Sequence, residues 1–237
     1  MERQQYIVRV LEEHLENGNT YTRVNEKSAI NNIQAIKNKA IHLICNKHKG
    51  CLTQAEMNYF TKSFKINGRV PQFYGMPKIH KGIIDGIKLR PVISQCGSIS
   101  AIISTFLDYR LQYLKNNVPS YIKDSADLIN QLKQLGNLQS HNAVYIFTSD
   151  ATSMYTNIDI DEGISTMEKY LRQFAPNEPI DLLMDLLTLV MKNNIFQFGS
   201  TWWKQHTGTT HRDYNGHSLC MYLCNIILCV LRANRHP

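Results

Sequence analysis

Hydrophobic residues in the first part of the chain recur at the spacing of amphipathic helices. The first set ends at the turn-forming pair Gly18 and Asn19 and comprises Ile7, Val10, Leu11 and Leu15. The second set predicts a helix that ends near Gly50 and comprises Ile30, Ile33, Ile36, Ala40, Leu43 and Ile44. Thr53 and Glu56 then have the spacing of a capping box, which predicts the start of a third helix. We therefore predict a helical segment over residues 1–70.

The pattern changes at Pro71. The stretch "VPQFYGMPKIHKGIIDGIKLRPVISQCGS" is rich in glycine and proline, which excludes a long helix. We predict short extended segments joined by turns, with "KLRPVIS" as the best strand. Helical spacing returns in "SAIISTFLDYRLQYLKNN" and "SADLINQLKQLGN", for which Ser100 and Ser125 are the candidate N-caps.

The last part of the chain mixes both patterns. "AVYIFTSDATSMYTNI" is the strongest predicted strand, because Val144 and Ile146 have aromatic neighbours. "DIDEGISTMEKYLRQF" and "IDLLMDLLTLVMKNN" predict helices, and the second is apolar on nearly all sides and therefore buried. "NIFQFGSTWWKQHTGT" predicts two strands joined by a Gly-Ser turn. Because strands and helices do not alternate as βαβ units do, the order predicts an α+β fold.

The composition limits the class of protein. The chain has 237 residues, 43% hydrophobic residues and a net charge of +7, which is typical of a folded protein that could bind nucleic acid or another anionic surface. The charged, amphipathic stretch "MERQQYIVRVLEEHLENG" is unlike the apolar segment that we expect of a secretion signal, and the apolar stretch Leu219–Leu231 is shorter than the roughly 20 residues of a membrane span. We expect no membrane partner and reduced cysteines, since the six cysteines form no disulfide framework.

Two clusters of possible metal ligands have an ordinary structural interpretation, which we favour. The first cluster lacks a second ligand pair at zinc-site spacing and consists of Cys45, His48 and Cys51. The second could belong to a nuclease-like metal site but fits the first turn of a helix better; it consists of Asp159, Asp161 and Glu162.

Asp150 follows the strongest predicted strand. A carboxylate at such a position can be presented at a sheet edge to a hard cation such as Mg²⁺. The local sequence alone favours the alternative, a capping or turn aspartate.

A basic segment follows Pro71. Its cations are interleaved with aromatic residues and comprise Lys78, His80, Lys81, Lys88 and Arg90. Such residues on irregular backbone suit contacts with phosphates and bases, but a solvated loop explains them equally well. Arg90 precedes Pro91, so a strand would fix its direction for a bidentate phosphate contact. For "TWW" we favour packing in the hairpin, with one ring inward and one partly exposed, over base stacking.

Four stretches together resemble the reverse transcriptases of Penelope-like retroelements. They are "FYGMPKIHKG", "LRPVIS", "FTSDATSMYTNI" and "TWWKQHTGT", and "YIVRVLEEHLENGNTYTRV" is similar to the segment that precedes the fingers in that family. The resemblance extends over about Tyr6 to Thr209. It implies a partial right-hand polymerase with a helical N-terminal extension at 1–70, a fingers-like region at 71–143 and an incomplete palm at 144–237, without a thumb.

The resemblance implies Mg²⁺-dependent, RNA-directed DNA synthesis and a role for individual residues. Asp150 would be catalytic and bind two Mg²⁺ ions, one of them also held by the carbonyl of Ala151. The incoming nucleotide would be contacted by Lys88, Arg90, Ala151 and Tyr155, the last as the wall of the sugar pocket. The template and primer would be contacted by Tyr74, Lys78 and Lys81. The expected partners are an RNA template, a DNA primer and deoxynucleoside triphosphates, with no obligate protein partner. The expected location of such a retroelement product is inside the cell, in the nucleus.

The chain departs from the family after "TGT". The paired aspartates that complete the metal site are missing, and after Gly199 only Asp213 remains. One aspartate cannot hold two divalent ions against their repulsion and hydration. We therefore expect a C-terminally truncated fragment that does not synthesise DNA by itself. A frameshift or an altered gene boundary would explain the truncation. The alternative is a non-catalytic nucleic-acid-binding remnant.

Overall fold

The computed structural model describes residues 2–16, 18, 20–78, 88–117, 121–134 and 157–208. The helices in these ranges are α1 (Arg3–Val10), α2 (Glu26–His42), α3 (Gln54–Ser63), α4 (Ile99–Leu111), α5 (Ser125–Gln134), α6 (Ile160–Phe174) and α7 (Ile180–Lys192). The strands are β1 (Tyr21–Val24), β2 (Gln72–Pro77), β3 (Leu89–Ser94), β4 (Ile195–Phe198) and β5 (Thr201–Gln205). α1 and α2 continue as π-helical turns at Leu11–Leu15 and Leu43–Lys47, and α4 continues as a 3₁₀ turn at Gln112–Asn117.

Three predicted helix starts have different outcomes. The capping box is confirmed, because Thr53 accepts the N–H of Glu56 and the Glu56 carboxylate accepts the N–H of Thr53 at 2.8 Å. The predicted N-caps Ser100 and Ser125 are wrong, since both already lie inside their helices. A cap must have extended backbone just before the first helical residue. Ser98 meets this condition for α4, and the residue before α5, Asp124, accepts the N–H three positions on at 2.9 Å.

The strands form one mixed sheet in the order β1-β5-β4-β2-β3. All neighbours are antiparallel except β2 and β4, which pair in parallel at Gln72 and Gln197. This mixture of helices and one mixed sheet is compatible with the predicted α+β class. The sheet takes β1 from the predicted extension, β2 and β3 from the fingers-like segment, and β4 and β5 from the palm segment.

Both faces of the β4–β5 hairpin are covered. On one face Trp203 packs with Phe73, Phe196 and the α1 residue Val10. On the other face Trp202 packs with Ala29 of α2. Trp202 is 7% exposed and Trp203 is 3% exposed, so the prediction of one partly exposed ring is wrong. Adjacent residues of a strand point to opposite faces, and here a helix covers each face.

A second core lies among the helices. It joins α2, α3, α4, α6 and α7 around fully buried residues such as Phe60, Leu107, Met167 and Leu186. The prediction that α7 is buried is confirmed, because nine of its residues are buried. No helix among the described residues is both long and apolar enough to cross a membrane.

Candidate nucleic-acid interface

The pairing of β2 with β3 brings four of the predicted contact residues to one surface. Tyr74 lies opposite Val92, and Met76 lies opposite Arg90. The Lys78 N–H donates to the Lys88 carbonyl at 2.9 Å, which extends the ladder by one pair. Cross-strand partners share a face, and side chains alternate along each strand. The register therefore places on one face Val92, which is 2% exposed, and the five residues that we call the basic face: Tyr74, Met76, Lys78, Lys88 and Arg90.

The two faces of this hairpin have different environments. The face opposite the basic face is buried, with Phe73 at 5% and Leu89 at 2% exposure, and it packs against α1. On the basic face the side chains of Tyr74 and Met76 are 40% and 42% exposed, and Lys88 is also exposed. Lys78 and Arg90 are half-buried, so their charged ends are held closer to the protein surface. The hairpin thus presents aromatic, thioether and cationic groups to solvent together.

Within the described residues, the charges on the basic face lack acidic ion-pair partners. None of the ion pairs formed within the described residues includes Lys78, Lys88 or Arg90. By contrast, Arg110 pairs with two glutamates at 2.8 Å and 3.0 Å. Lys78 and Lys88 are directly opposed, and like charges in that position destabilise a sheet. A bound anion would relieve this repulsion.

Two prolines fit this hairpin without loss of a backbone hydrogen bond. Because Lys78 and Lys88 form a hydrogen-bonded pair, the pairs of Pro77 with Leu89 and of Gly75 with Pro91 are of the non-hydrogen-bonded type. A proline there removes no bond between the strands. Pro91 also restricts the preceding residue to extended backbone, so it fixes the direction of Arg90.

Gly75, Tyr6 and Glu13 are important for this surface and were not predicted from the sequence. A Cβ atom on Gly75 would lie 2.9 Å from Leu89 Cδ1 and 3.1 Å from a methyl group of α1, so the helix packs directly on the strand. The Tyr6 hydroxyl accepts the Gly75 N–H at 2.7 Å, and the Glu13 carboxylate accepts the Leu89 N–H at 3.2 Å. The only sequence signal was a glycine inside a predicted strand, which marks a close approach.

His14 lies beside these contacts, with a side chain that is 16% exposed. Burial lowers the pKa of its imidazole, and the Lys78 cation lowers it further, while Glu13 and a hydrogen bond to the Leu89 backbone act in the opposite direction. The net direction favours a neutral ring next to the hairpin.

The predicted metal and sugar-pocket residues lie outside the described residues. These are Asp150, Ala151 and Tyr155, and the predicted template contact Lys81 is outside them as well. Within the described ranges no three His, Cys, Asp or Glu side chains are grouped so that they could hold a metal ion.

The two clusters with a structural interpretation can be examined directly. Asp159 is the N-cap of α6 and accepts the Glu162 N–H at 2.8 Å, which confirms the helix-start interpretation. His48 lies 2.7 Å from the carboxylate of Asp185, while Cys45 and Cys51 are exposed free thiols.

The comparisons with known proteins add no relative. No protein-family model, no curated protein and no solved structure matches the chain. A functional assignment therefore depends on the residues of this chain and on their geometry.

Proposed function

We propose that the chain is part of an RNA-directed DNA polymerase that resembles the Penelope-like reverse transcriptases. In this proposal the basic face contacts the phosphates of the template, the primer and the incoming deoxynucleoside triphosphate. The supporting observation is the face on which Lys78, Lys88 and Arg90 lie beside the exposed Tyr74, with no ion pair to an acidic side chain of the described ranges.

The chemistry of the basic face suits both parts of a nucleotide. The Arg90 guanidinium can bind two phosphate oxygens at once, and the lysine ammonium groups act as point charges. The exposed ring of Tyr74 offers a surface for base stacking, which tolerates any base sequence. Phosphate contacts together with one stacking ring give affinity without sequence preference, as a copying enzyme requires.

The proposed Mg²⁺ ligands are Asp150 and the Ala151 carbonyl, both outside the described residues. When bound, Mg²⁺ would activate the primer hydroxyl and neutralise the triphosphate. Binding by the basic face does not depend on these ligands, so it can be tested separately.

The salt dependence of binding tests the basic face. The full chain is titrated with a fluorescent RNA–DNA primer-template at several salt concentrations. The logarithm of the binding constant should fall linearly with the logarithm of the salt concentration, because each phosphate contact releases counterions. Lys88→Ala should reduce the steepness of this line by about one unit and weaken binding.

The matched control is Lys62→Ala, which removes the same charge from an exposed position on α3. It should leave the slope unchanged. Equal effects of the two substitutions would contradict the proposal, since net charge alone would then explain binding. Absence of binding at low salt would remove nucleic acid as a partner.

A second candidate function is non-catalytic nucleic-acid binding. The observation in its favour is the absence of paired aspartates after Gly199, where only Asp213 remains. Primer extension with Mg²⁺ separates the candidates. We expect salt-dependent binding without extension from this chain, unchanged by Asp150→Ala. Template-directed extension that Asp150→Ala abolishes would instead establish the polymerase in the chain as it stands.

A further inference from the structure

One continuous helical segment holds both edges of the β2–β3 hairpin. We call Arg3–Leu15, which comprises α1 and its π-helical turn, the N-terminal strap. On one edge the Tyr6 hydroxyl accepts the Gly75 N–H at 2.7 Å. On the other edge the Glu13 Oε2 atom accepts the Leu89 N–H at 3.2 Å. Both N–H groups belong to non-hydrogen-bonded pairs and point away from the partner strand, so without the strap neither has a partner within the hairpin.

The contact of Glu13 lies at the outer edge of β3, between two residues of the basic face. The Leu89 N–H belongs to the peptide that follows Lys88, and Arg90 is the next residue, so the hydrogen bond restrains the backbone between two of the cations. The other oxygen of the Glu13 carboxylate pairs with Arg9 at 3.0 Å, one helical turn earlier. The carboxylate is thus held from the strap and restrains β3.

The charge of Glu13 is unfavourable for an anion-binding surface. The Glu13 carboxylate binds the backbone of the residue between Lys88 and Arg90, so its negative charge opposes the binding of phosphates beside it, and the Arg9 cation at 3.0 Å offsets part of that charge. A neutral acceptor would hold the same N–H without this repulsion. The geometric and electrostatic effects of Glu13 therefore have opposite signs and can be separated by experiment.

We propose that Glu13 is a positioning residue for anion binding, which holds Lys88 and Arg90 in their binding geometry through the Leu89 N–H. This inference rests on the proposed function, because it assumes that the basic face binds phosphates. Glu13 does not contact the ligand. Its removal changes affinity by releasing β3 from the strap.

Two substitutions give opposite results. Glu13→Gln keeps an oxygen acceptor and removes the charge, so primer-template should bind as tightly as to the natural chain or several-fold more tightly. Glu13→Ala removes the acceptor as well, and binding should weaken by roughly tenfold, since a hydrogen bond to a charged group is lost. The salt slope should also become less steep for Glu13→Ala, because fewer phosphates are then neutralised together.

A third substitution keeps the test decisive if Glu13→Ala folds poorly. Glu13→Asp keeps the charge but withdraws the carboxylate by one methylene, so positioning predicts weaker binding. An effect of charge alone predicts no change for Glu13→Asp and equally tighter binding for Glu13→Gln and Glu13→Ala. That second pattern overturns the inference.

The matched control is Tyr6→Phe, which removes the acceptor at the opposite edge, on β2 rather than on the strand that carries Lys88 and Arg90. It should lower the urea midpoint while the salt slope stays unchanged. If Lys88→Ala has no effect on binding, the proposed function itself fails. If Lys88→Ala weakens binding but Glu13→Ala binds as tightly as Glu13→Gln, only the positioning role fails.

Discussion

Two hairpins of the same sheet are both rich in aromatic residues but differ in their surroundings. In β4–β5 the rings of Trp202 and Trp203 are buried on opposite faces. In β2–β3 the ring of Phe73 is buried, while the ring of the next residue, Tyr74, is 40% exposed. Aromatic content alone therefore does not identify a binding surface. Whether an aromatic ring is buried or exposed depends on whether helices cover one face of its hairpin or both.

The position of each hairpin in the sheet explains the difference. β4 and β5 lie between β1 and β2, and both α1 and α2 pack across them. β3 lies at the end of the strand order, and α2 packs against the opposite part of the sheet, on β1, β4 and β5. Within the described residues, the outer end of β2–β3 is covered by the N-terminal strap on one face only.

The largest expected difference between the hairpins is in stability. Trp203→Ala should lower the free energy of unfolding by about 3–5 kcal/mol, because a buried aromatic side chain is lost and a cavity remains. Tyr74→Ala should lower it by less than about 1 kcal/mol, since Tyr74 is 40% exposed whereas Trp203 is 3% exposed. Urea unfolding followed by circular dichroism measures both. Similar losses from the two substitutions would remove the distinction between the hairpins.

Substitution of the glycine in each hairpin should destabilise the protein for a different reason. Gly75→Ala would press a methyl group against Leu89 and the strap and cost about 1–3 kcal/mol. Gly199 has φ of 58° and no atom within 4 Å of a Cβ, so Gly199→Ala should cost about 1 kcal/mol through backbone strain alone.

Asparagine separates the two causes in the same unfolding experiment. Asn tolerates positive φ, so Gly199→Asn should be less destabilising than Gly199→Ala. Its larger side chain should make Gly75→Asn more destabilising than Gly75→Ala. The same ranking at both positions would contradict this assignment of causes.

The smallest expected effect depends on pH and concerns the strap. Burial, with a smaller effect from Lys78, lowers the pKa of His14 in the folded protein, against the opposite effects of Glu13 and the Leu89 backbone. The folded state then binds fewer protons than the unfolded chain, so stability is complete above the ordinary pKa of 6.5 and is lost as the pH falls below it. Urea midpoints at about pH 7.5 and about pH 5.5 measure this loss.

His14→Gln tests this prediction directly. It should reduce the loss of stability on acidification. A loss that is equally large with and without His14 would contradict a specific role of the strap.

Local patterns predicted the helices, the capping box and the β4–β5 turn, because the residues that determine them are neighbours in the sequence. The exposure of Trp202 could not be predicted in this way, since it depends on Ala29 of a distant helix. Tyr6 and Glu13 were missed for the same reason, because their contacts join residues 69 and 76 positions apart. "KLRPVIS" could be identified as a strand, but its register with β2, and with it the basic face, is a tertiary property.

The parallel pairing of β2 with β4 and the pairing of β1 with β5 also have a consequence for biosynthesis. The side chains of Gln72 and Gln197 meet across 125 positions, and those of Thr22 and His206 across 184. At an elongation rate of about 5–20 residues per second, β1 leaves the ribosome on the order of ten to forty seconds before its partner exists. During that time β1 is an unpaired edge, so a nascent chain needs protection from aggregation until the β4–β5 hairpin has been made.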